Sequence, residues 1–362
     1  MTIRVIELAG SAGAMGAAHG RRFAEEIRHY TEDRIGLVMS GLWSGNRLAR
    51  SEVLTIAESC LPFHDAFSPE LTEEMVAIGE AAGLSPAEMV VAGGFTDFVD
   101  AVRASTGGPL PPEVFEDDCT AFIVPDDRAQ GAGYFGQTWD MHDTATPFVI
   151  LTDVRPTGKP RALVFTTTGC VGQIGMNEAG VAVGINNLTG ADGRPGVTWP
   201  HVVRKALEQT SAKDAMDVIT GAHLAGAHNY LVFDAQGVGF NLEAMPTATV
   251  VFEVTANDVL IHTNHTLSPI ATDREVPRPA QLQASSEKRL AKATELLAEG
   301  DIDEQTLMAV TRDEEAICQV GYDPYHVESC GAAIMRPRTK EFWAVWGLPK
   351  DNEYELFSLA TA

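Results

Sequence analysis

The feature that most constrains this chain is a change of hydrophobic period at Cys119. Upstream, apolar residues recur at helical spacing: Phe23, Ile27 and Tyr30 lie on one face, Arg21, Arg22, Glu25 and Glu26 on the other. Residues 51–62 and 69–83 repeat that pattern. In Ser85-Pro86-Ala87-Glu88, a capping serine precedes a proline at the first helical position and a glutamate at the third, a combination that starts helices. A short strand over residues 3–8 comes before these helices. The Pro/Gly-rich stretch Ser105 to Pro112 ends them and is expected to be exposed and mobile. Downstream of Cys119 the period becomes two, with short strands separated by turns. Hairpins are expected over residues 175–184 and 230–240, helix pairs over 198–222 and 285–312, and a closing hairpin from Ala332–Met335 to Glu341–Trp346. Strand runs interleaved with helix pairs predict two sheets with helices on their outer faces, a layered α+β body.

A length of 362 residues suits one large layered domain or two smaller ones. The net charge of -24 argues against a nucleic-acid surface, which needs clustered Lys and Arg, and against anionic membranes. No run of about 18 apolar residues is present, so no membrane span is expected. The first residues, Met1 to Leu8, lack the pattern of a secretory signal, and a cytoplasmic location is expected. The five cysteines are scattered and form no C-x-x-C pair, which disfavours a disulfide framework.

Cys119 opens a strand at the junction of the two patterns. If the Asp118-Cys119 peptide were cut, one residue would carry both a thiol and a free α-amine. Their ordinary pKa values, about 8.5 and about 7.7 to 8.0, allow the amine to take the thiol proton near neutral pH. The bland reading of any one such cysteine is an inert core thiol. Gly136-Gln137-Thr138-Trp139-Asp140 ends the strand expected to pair with that of Cys119. Asp140 there either holds an amine or orients the nucleophile, or merely caps a turn. In Ile261-His262-Thr263-Asn264-His265, Asn264 offers an amide donor suited to a developing oxyanion. His262 and His265 could instead ligate a metal, but no third ligand accompanies them, and no metal is expected. Cys170 and His19 read as packing residues.

Four landmarks, in order, give the chain its resemblance to a known family: Asp118-Cys119-Thr120, Gly136 to Asp140, Gly175 to Val183, and His262 to His265. Together with Gly16-x-x-His19-Gly20 and the Gly331-Ala332-Ala333 strand, they are similar to the acyl-coenzyme A:6-aminopenicillanic acid acyltransferase family of N-terminal nucleophile (Ntn) hydrolases. The resemblance implies a four-layer αββα sandwich and self-cleavage between Asp118 and Cys119. The products would be a helical α chain of residues 1–118 and a β chain of residues 119–362 that together form one domain. It implies Cys119 as nucleophile, its α-amine as base, Asn264 as oxyanion donor and Asp140 in the catalytic pocket. Thr120, Trp139, His142, His228 and Gln319 are the substrate-pocket candidates. The implied reaction is hydrolysis of a linear amide through an acyl-thioester, or acyl transfer to an amine, with no cofactor and acyl-coenzyme A as a conceivable donor. The implied partners are a small-molecule amide and the two chains of one precursor, with homo-oligomerisation left open. Three departures stand out: Asp118 replaces the glycine usual in relatives, Gln319 follows Ile317-Cys318 where the penicillin enzyme has an arginine, and a serine associated there with processing falls near His228. Penicillin specificity is therefore not carried over.

Overall fold

The structure, a computed structural model, describes residues 2–107, 119–323 and 326–360. The expected cleavage residue Asp118 and most of the Pro/Gly-rich connection lie outside the described residues. Six helices occupy the first third: α1 (Ala12–Arg22), α2 (Ala24–Ser40), α3 (Arg50–Phe67), α4 (Pro69–Ala82), α5 (Pro86–Gly93) and α6 (Phe95–Thr106). The expected start of α5 is realised as a capping box, with Ser85 Oγ accepting from the Glu88 amide and Glu88 Oε2 accepting from the Ser85 amide. α1 lies so close to α4 that Gly16 and Gly20 leave no room for a side chain against the Glu74 and Ile78 carbonyls, which accounts for the glycines of the Gly16-x-x-His19-Gly20 motif.

Two sheets follow. One has eight strands, in the order β1 (Arg4–Gly10), β4 (Val149–Pro156), β5 (Ala162–Thr167), β6 (Ile174–Asn177), β7 (Val181–Asn187), β8 (His228–Asp234), β9 (Gly239–Met245) and β10 (Ala248–Glu253). The other has six, in the order β11 (Leu260–His262), β2 (Ala121–Val124), β3 (Tyr134–His142), β12 (Val327–Arg336), β13 (Glu341–Trp346) and β14 (Glu355–Ser358). Within these two sheets every described strand pair is antiparallel except β1 with β4, where Arg4 to Gly10 run parallel to Ile150 to Pro156.

Alternation along the strands sorts side chains into three apolar layers. Outside the larger sheet, Val183, Ile185, Tyr230, Val232 and Leu242 pack on α7 (Trp199–Ala206) and α8 (Ala212–Thr220) through Val202, Val203, Ala215 and Ile219. Outside the smaller sheet, Phe122, Val124, Tyr134 and Ile334 meet α10 (Ala280–Leu296) and α11 (Glu304–Thr311) through Ala293, Leu307 and Val310. A short helix, α9 (Pro269–Thr272), precedes α10. Between the sheets, Leu151, Phe165, Ile174, Leu231 and Phe233 of one face Ala121, Ile123, Phe135, Ala333 and Met335 of the other. That inner layer continues into α2, α3, α5 and α6 through Ile27, Tyr30, Val53, Val90, Phe95 and Phe98. The expected α+β sandwich of helix, sheet, sheet and helix is therefore present, and the helical third caps its inner core.

Two local expectations change. The strand after Cys119 begins at Ala121 rather than at Cys119, the first paired residues being Ala121 and Gln137. β3 runs two residues past Asp140, to His142, so Asp140 sits inside a ladder opposite Ser329 instead of at a strand end.

Candidate active site

Cys119 is fully buried, and its main chain is held from three directions. Its N–H donates to Asn264 Oδ1 at 2.6 Å. Its carbonyl accepts from Arg289 Nη1 at 2.6 Å and from Asn186 Nδ2 at 3.2 Å. Its Sγ lies 3.9 Å from the Asp140 carbonyl oxygen. Thr120 extends the β2–β3 ladder, donating its N–H to Thr138 Oγ1 at 3.2 Å and accepting from the Thr138 amide at 2.9 Å. These residues come from the inner end of β7, the loop after β11, the middle of β3 and the α10 helix, so the site exists only once both sheets and the α10 layer have packed.

Asn264 is a hub. Its Oδ1 accepts from Arg289 Nη2 at 3.0 Å as well as from Cys119, and its Nδ2 donates to the Asn187 carbonyl at 3.1 Å. Its own main chain is fixed by Ser286 Oγ on one side and by Arg278 Nη1 on the other, at 2.9 and 2.6 Å. The Asp140 carboxylate accepts from Ser329 Oγ at 2.6 Å and from Thr138 Oγ1 at 3.3 Å. Ser329 in turn takes the Gln319 amide at 2.9 Å, and the ladder is irregular between Ser329 and Gly331. That irregularity sits beside a functional candidate, as β-bulges often do.

The structure brings Cys119, Asn264, Asp140 and Thr120 together, keeps Trp139 and Gln319 nearby, and gives His142 and His228 surroundings of their own. Trp139 is buried in the same inner core as Cys119. Gln319 is half-buried and reaches the site through its main chain. His142 is half-buried at the end of β3, bonded to Thr144 Oγ1 at 2.9 Å. His228 does not line the inner layer: by strand alternation its side chain falls on the outer face of β8, where Nδ1 meets Asp97 Oδ1 at 2.7 Å, Nε2 meets Thr96 Oγ1 at 3.2 Å, and the ring lies against Trp199. Its neighbour Asn229 faces inward instead.

His262 and His265 are committed separately. His262 lies between the Thr263 carbonyl, 2.7 Å away, and Glu243 Oε1, 3.0 Å away, and His265 meets Ser286 Oγ at 2.7 Å. Among the described residues no group of three or more His, Cys, Asp or Glu is arranged to hold a metal ion. Burial raises the pKa of the four other thiols: Cys170 and Cys318 are pushed up to about 11, and Cys60 and Cys330 also lie above the ordinary value. Those four stay protonated and unreactive near neutral pH.

Sequence reasoning missed Arg289 and Asn186. Arg289, in Ser286-Glu287-Lys288-Arg289, resembles a solvated helix face, yet it falls on the same buried stripe of α10 as Leu282, Ser286 and Ala293. A fully buried guanidinium demands acceptors, and Arg289 finds them in Cys119, Thr120 and Asn264. Asn186 was detectable as a polar residue on an inward-facing position near the end of a strand that begins apolar.

The family model for acyl-coenzyme A:6-aminopenicillanic acid acyl-transferase matches residues 127–351. The 40 kDa form of acyl-coenzyme A:6-aminopenicillanic-acid-acyltransferase from Emericella nidulans is 26% identical over 259 residues, 71% of this chain and 68% of that protein. Among solved structures, a point mutant of the conjugated bile acid hydrolase from Clostridium perfringens aligns over 66% of this chain and 92% of its own, at 11% identity and a TM-score of 0.46. The penicillin V acylase from Agrobacterium tumefaciens aligns over 66% and 86%, at 10% identity and a TM-score of 0.44. Since the family model covers more than half of the chain, this protein belongs to the acyl-coenzyme A:6-aminopenicillanic acid acyl-transferase family.

Proposed function

We propose that the protein is a self-processing cysteine enzyme that cleaves linear amides through an acyl-thioester on Cys119. The observation that carries this reading is the convergence of Asn264, Arg289 and Asn186 on the main chain of one buried cysteine. An inert core thiol needs no such grip, whereas a nucleophile has to be held in one orientation.

In the uncut chain the Cys119 thiol adds to the Asp118 carbonyl. The C–N bond to Cys119 breaks, its nitrogen gains the thiol proton, and the acyl group passes to sulfur. Water opens that thioester to give the Asp118 carboxyl and a free Cys119 with an α-amine. In turnover the amine takes the thiol proton as sulfur attacks the substrate carbonyl, and gives it to the leaving nitrogen as the amide C–N bond breaks. Asn264 Nδ2 has a second N–H beside the one given to Asn187, and this is the proposed donor to the oxyanion. Asp140, fixed by Ser329 and Thr138, supplies a carboxylate within the catalytic pocket. Water resolves the thioester in hydrolysis, and a bound amine resolves it in transfer. Kinship with the Emericella acyltransferase supports transfer, with acyl-coenzyme A as one acyl donor.

The test is a panel of β-alanyl amines, N-acyl amino acids, simple amides and penicillins, scored by released amine, with Cys119→Ala as control. Release that disappears in the variant supports the reading; equal release from both proteins overturns it.

A further inference from the structure

Beyond the groups that touch Cys119, the inner face of the larger sheet carries three buried asparagines on adjacent strands: Asn186 on β7, Asn229 on β8 and Asn241 on β9. Asn186 Nδ2 donates to the Cys119 carbonyl at 3.2 Å. Asn229 Nδ2 donates to Asn186 Oδ1 at 3.2 Å and to Asn241 Oδ1 at 2.7 Å. From this directed chain we infer that Asn229 is a positioning residue for Cys119, acting through Asn186, with Asn241 as its anchor.

The direction follows from chemistry. A main-chain carbonyl only accepts, so Asn186 must turn its NH2 toward Cys119 and its oxygen toward Asn229. Asn229 must then present NH2, and one amino group serves both neighbours. Rotating the Asn229 amide by half a turn would set its oxygen against two other oxygens. Among the described residues Asn229 Oδ1 is buried and has no partner, so the orientation of the amide rests on the two donated bonds. Paired asparagine and aspartate variants can therefore separate the direction of the chain from mere burial of polar groups. Asn241 acts as an acceptor toward Asn229, and an aspartate there still accepts. An aspartate at 229 cannot donate, and it leaves Asn186 free to turn its NH2 away from Cys119.

The structural arm uses crystal structures of the uncut Cys119→Ala chain, alone and carrying Asn229→Asp or Asn241→Asp. The contact from Asn186 Nδ2 to the carbonyl of residue 119 is expected to survive Asn241→Asp and to be broken by Asn229→Asp. Asn229→Ala, which adds no charge, is expected to break it too and serves if the aspartate variant does not fold. A contact kept in every variant, or lost equally in Asn229→Asp and Asn241→Asp, overturns the inference. The kinetic arm rests on Cys119 being the self-cleaving nucleophile: Asn229→Asp should slow self-cleavage roughly tenfold, the scale of one hydrogen bond, and Asn241→Asp less than about threefold. Equal slowing overturns the inference. A wild-type chain that never cleaves overturns the nucleophile assignment instead, and the crystal structures then decide the asparagine chain alone.

Discussion

Replacing Asn264 with aspartate separates the two functions of its amide. The structure gives Oδ1 two donors, the Cys119 amide at 2.6 Å and Arg289 Nη2 at 3.0 Å, and gives Nδ2 the Asn187 carbonyl at 3.1 Å. Asn264→Asp keeps the acceptor that holds Cys119 and leaves the new charge beside the buried Arg289 guanidinium, which limits the loss of stability. It removes both side-chain N–H groups of residue 264, including the one proposed to stabilise the oxyanion. Losing one such donor lowers kcat by about 10² to 10³, roughly 3 to 4 kcal/mol of transition-state stabilisation. Asn264→Ala also removes the acceptor shared by the Cys119 amide and Arg289 Nη2, at about 1 to 3 kcal/mol for a buried group left unsatisfied, and should lower the melting temperature more. The assays are the initial rate of amine release, the rate of self-cleavage by mass, and thermal unfolding followed by circular dichroism. An Asn264→Asp protein that melts close to wild type and turns over at the wild-type rate would refute the oxyanion role.

Two further predictions concern the whole fold. After cleavage the segment 1–118 should remain bound through native size-exclusion chromatography, because β1 forms the edge of the larger sheet. Asp97 also bonds His228 and the Trp199 amide at 2.7 and 2.6 Å, and Asp100 takes the Gly190 and Ala227 amides, each at 3.0 Å; separation of the two pieces in native buffer would contradict this packing. Acid should destabilise the protein through His19, whose Nε2 accepts the Gly169 amide at 3.0 Å and whose pKa burial lowers from 6.5 to about 4. The unfolded chain takes that proton first, so stability is complete above about pH 6.5 and is lost as pH falls toward 4, by on the order of 3 kcal/mol for this one group. Urea unfolding of His19→Gln should show a shallower loss across that window, and an unchanged acid slope would contradict the assignment.

Much of this architecture is legible in the sequence because the residues that carry it obey local rules. The Ser85 to Glu88 cap, the Gly175 to Gly184 hairpin realised as β6 and β7, and the final hairpin realised as β12 and β13 each rest on neighbours in the chain. β1 reads as a strand, but its parallel seat on β4 is a contact across 146 positions, Arg4 facing Ile150, and no periodicity encodes such a partner. At the site, Cys119, Asn264 and Asp140 stand out through their motifs. Arg289 does not, because its neighbours Glu287 and Lys288 disguise a buried position as a solvated face. His228 misses its expected place in the pocket by a single residue of register: one step along β8 exchanges the outer face, where it meets Asp97, for the inner face that holds Asn229.

The central claim, that Cys119 becomes an N-terminal nucleophile by cutting its own chain, is tested most directly by the masses of denatured wild-type and Cys119→Ala protein. The predicted result is two fragments in the wild type, residues 1–118 and 119–362, and one intact chain in the variant. A single full-length mass for the wild type would mean that the Asp118-Cys119 bond survives and no α-amine is released, and it would contradict the account.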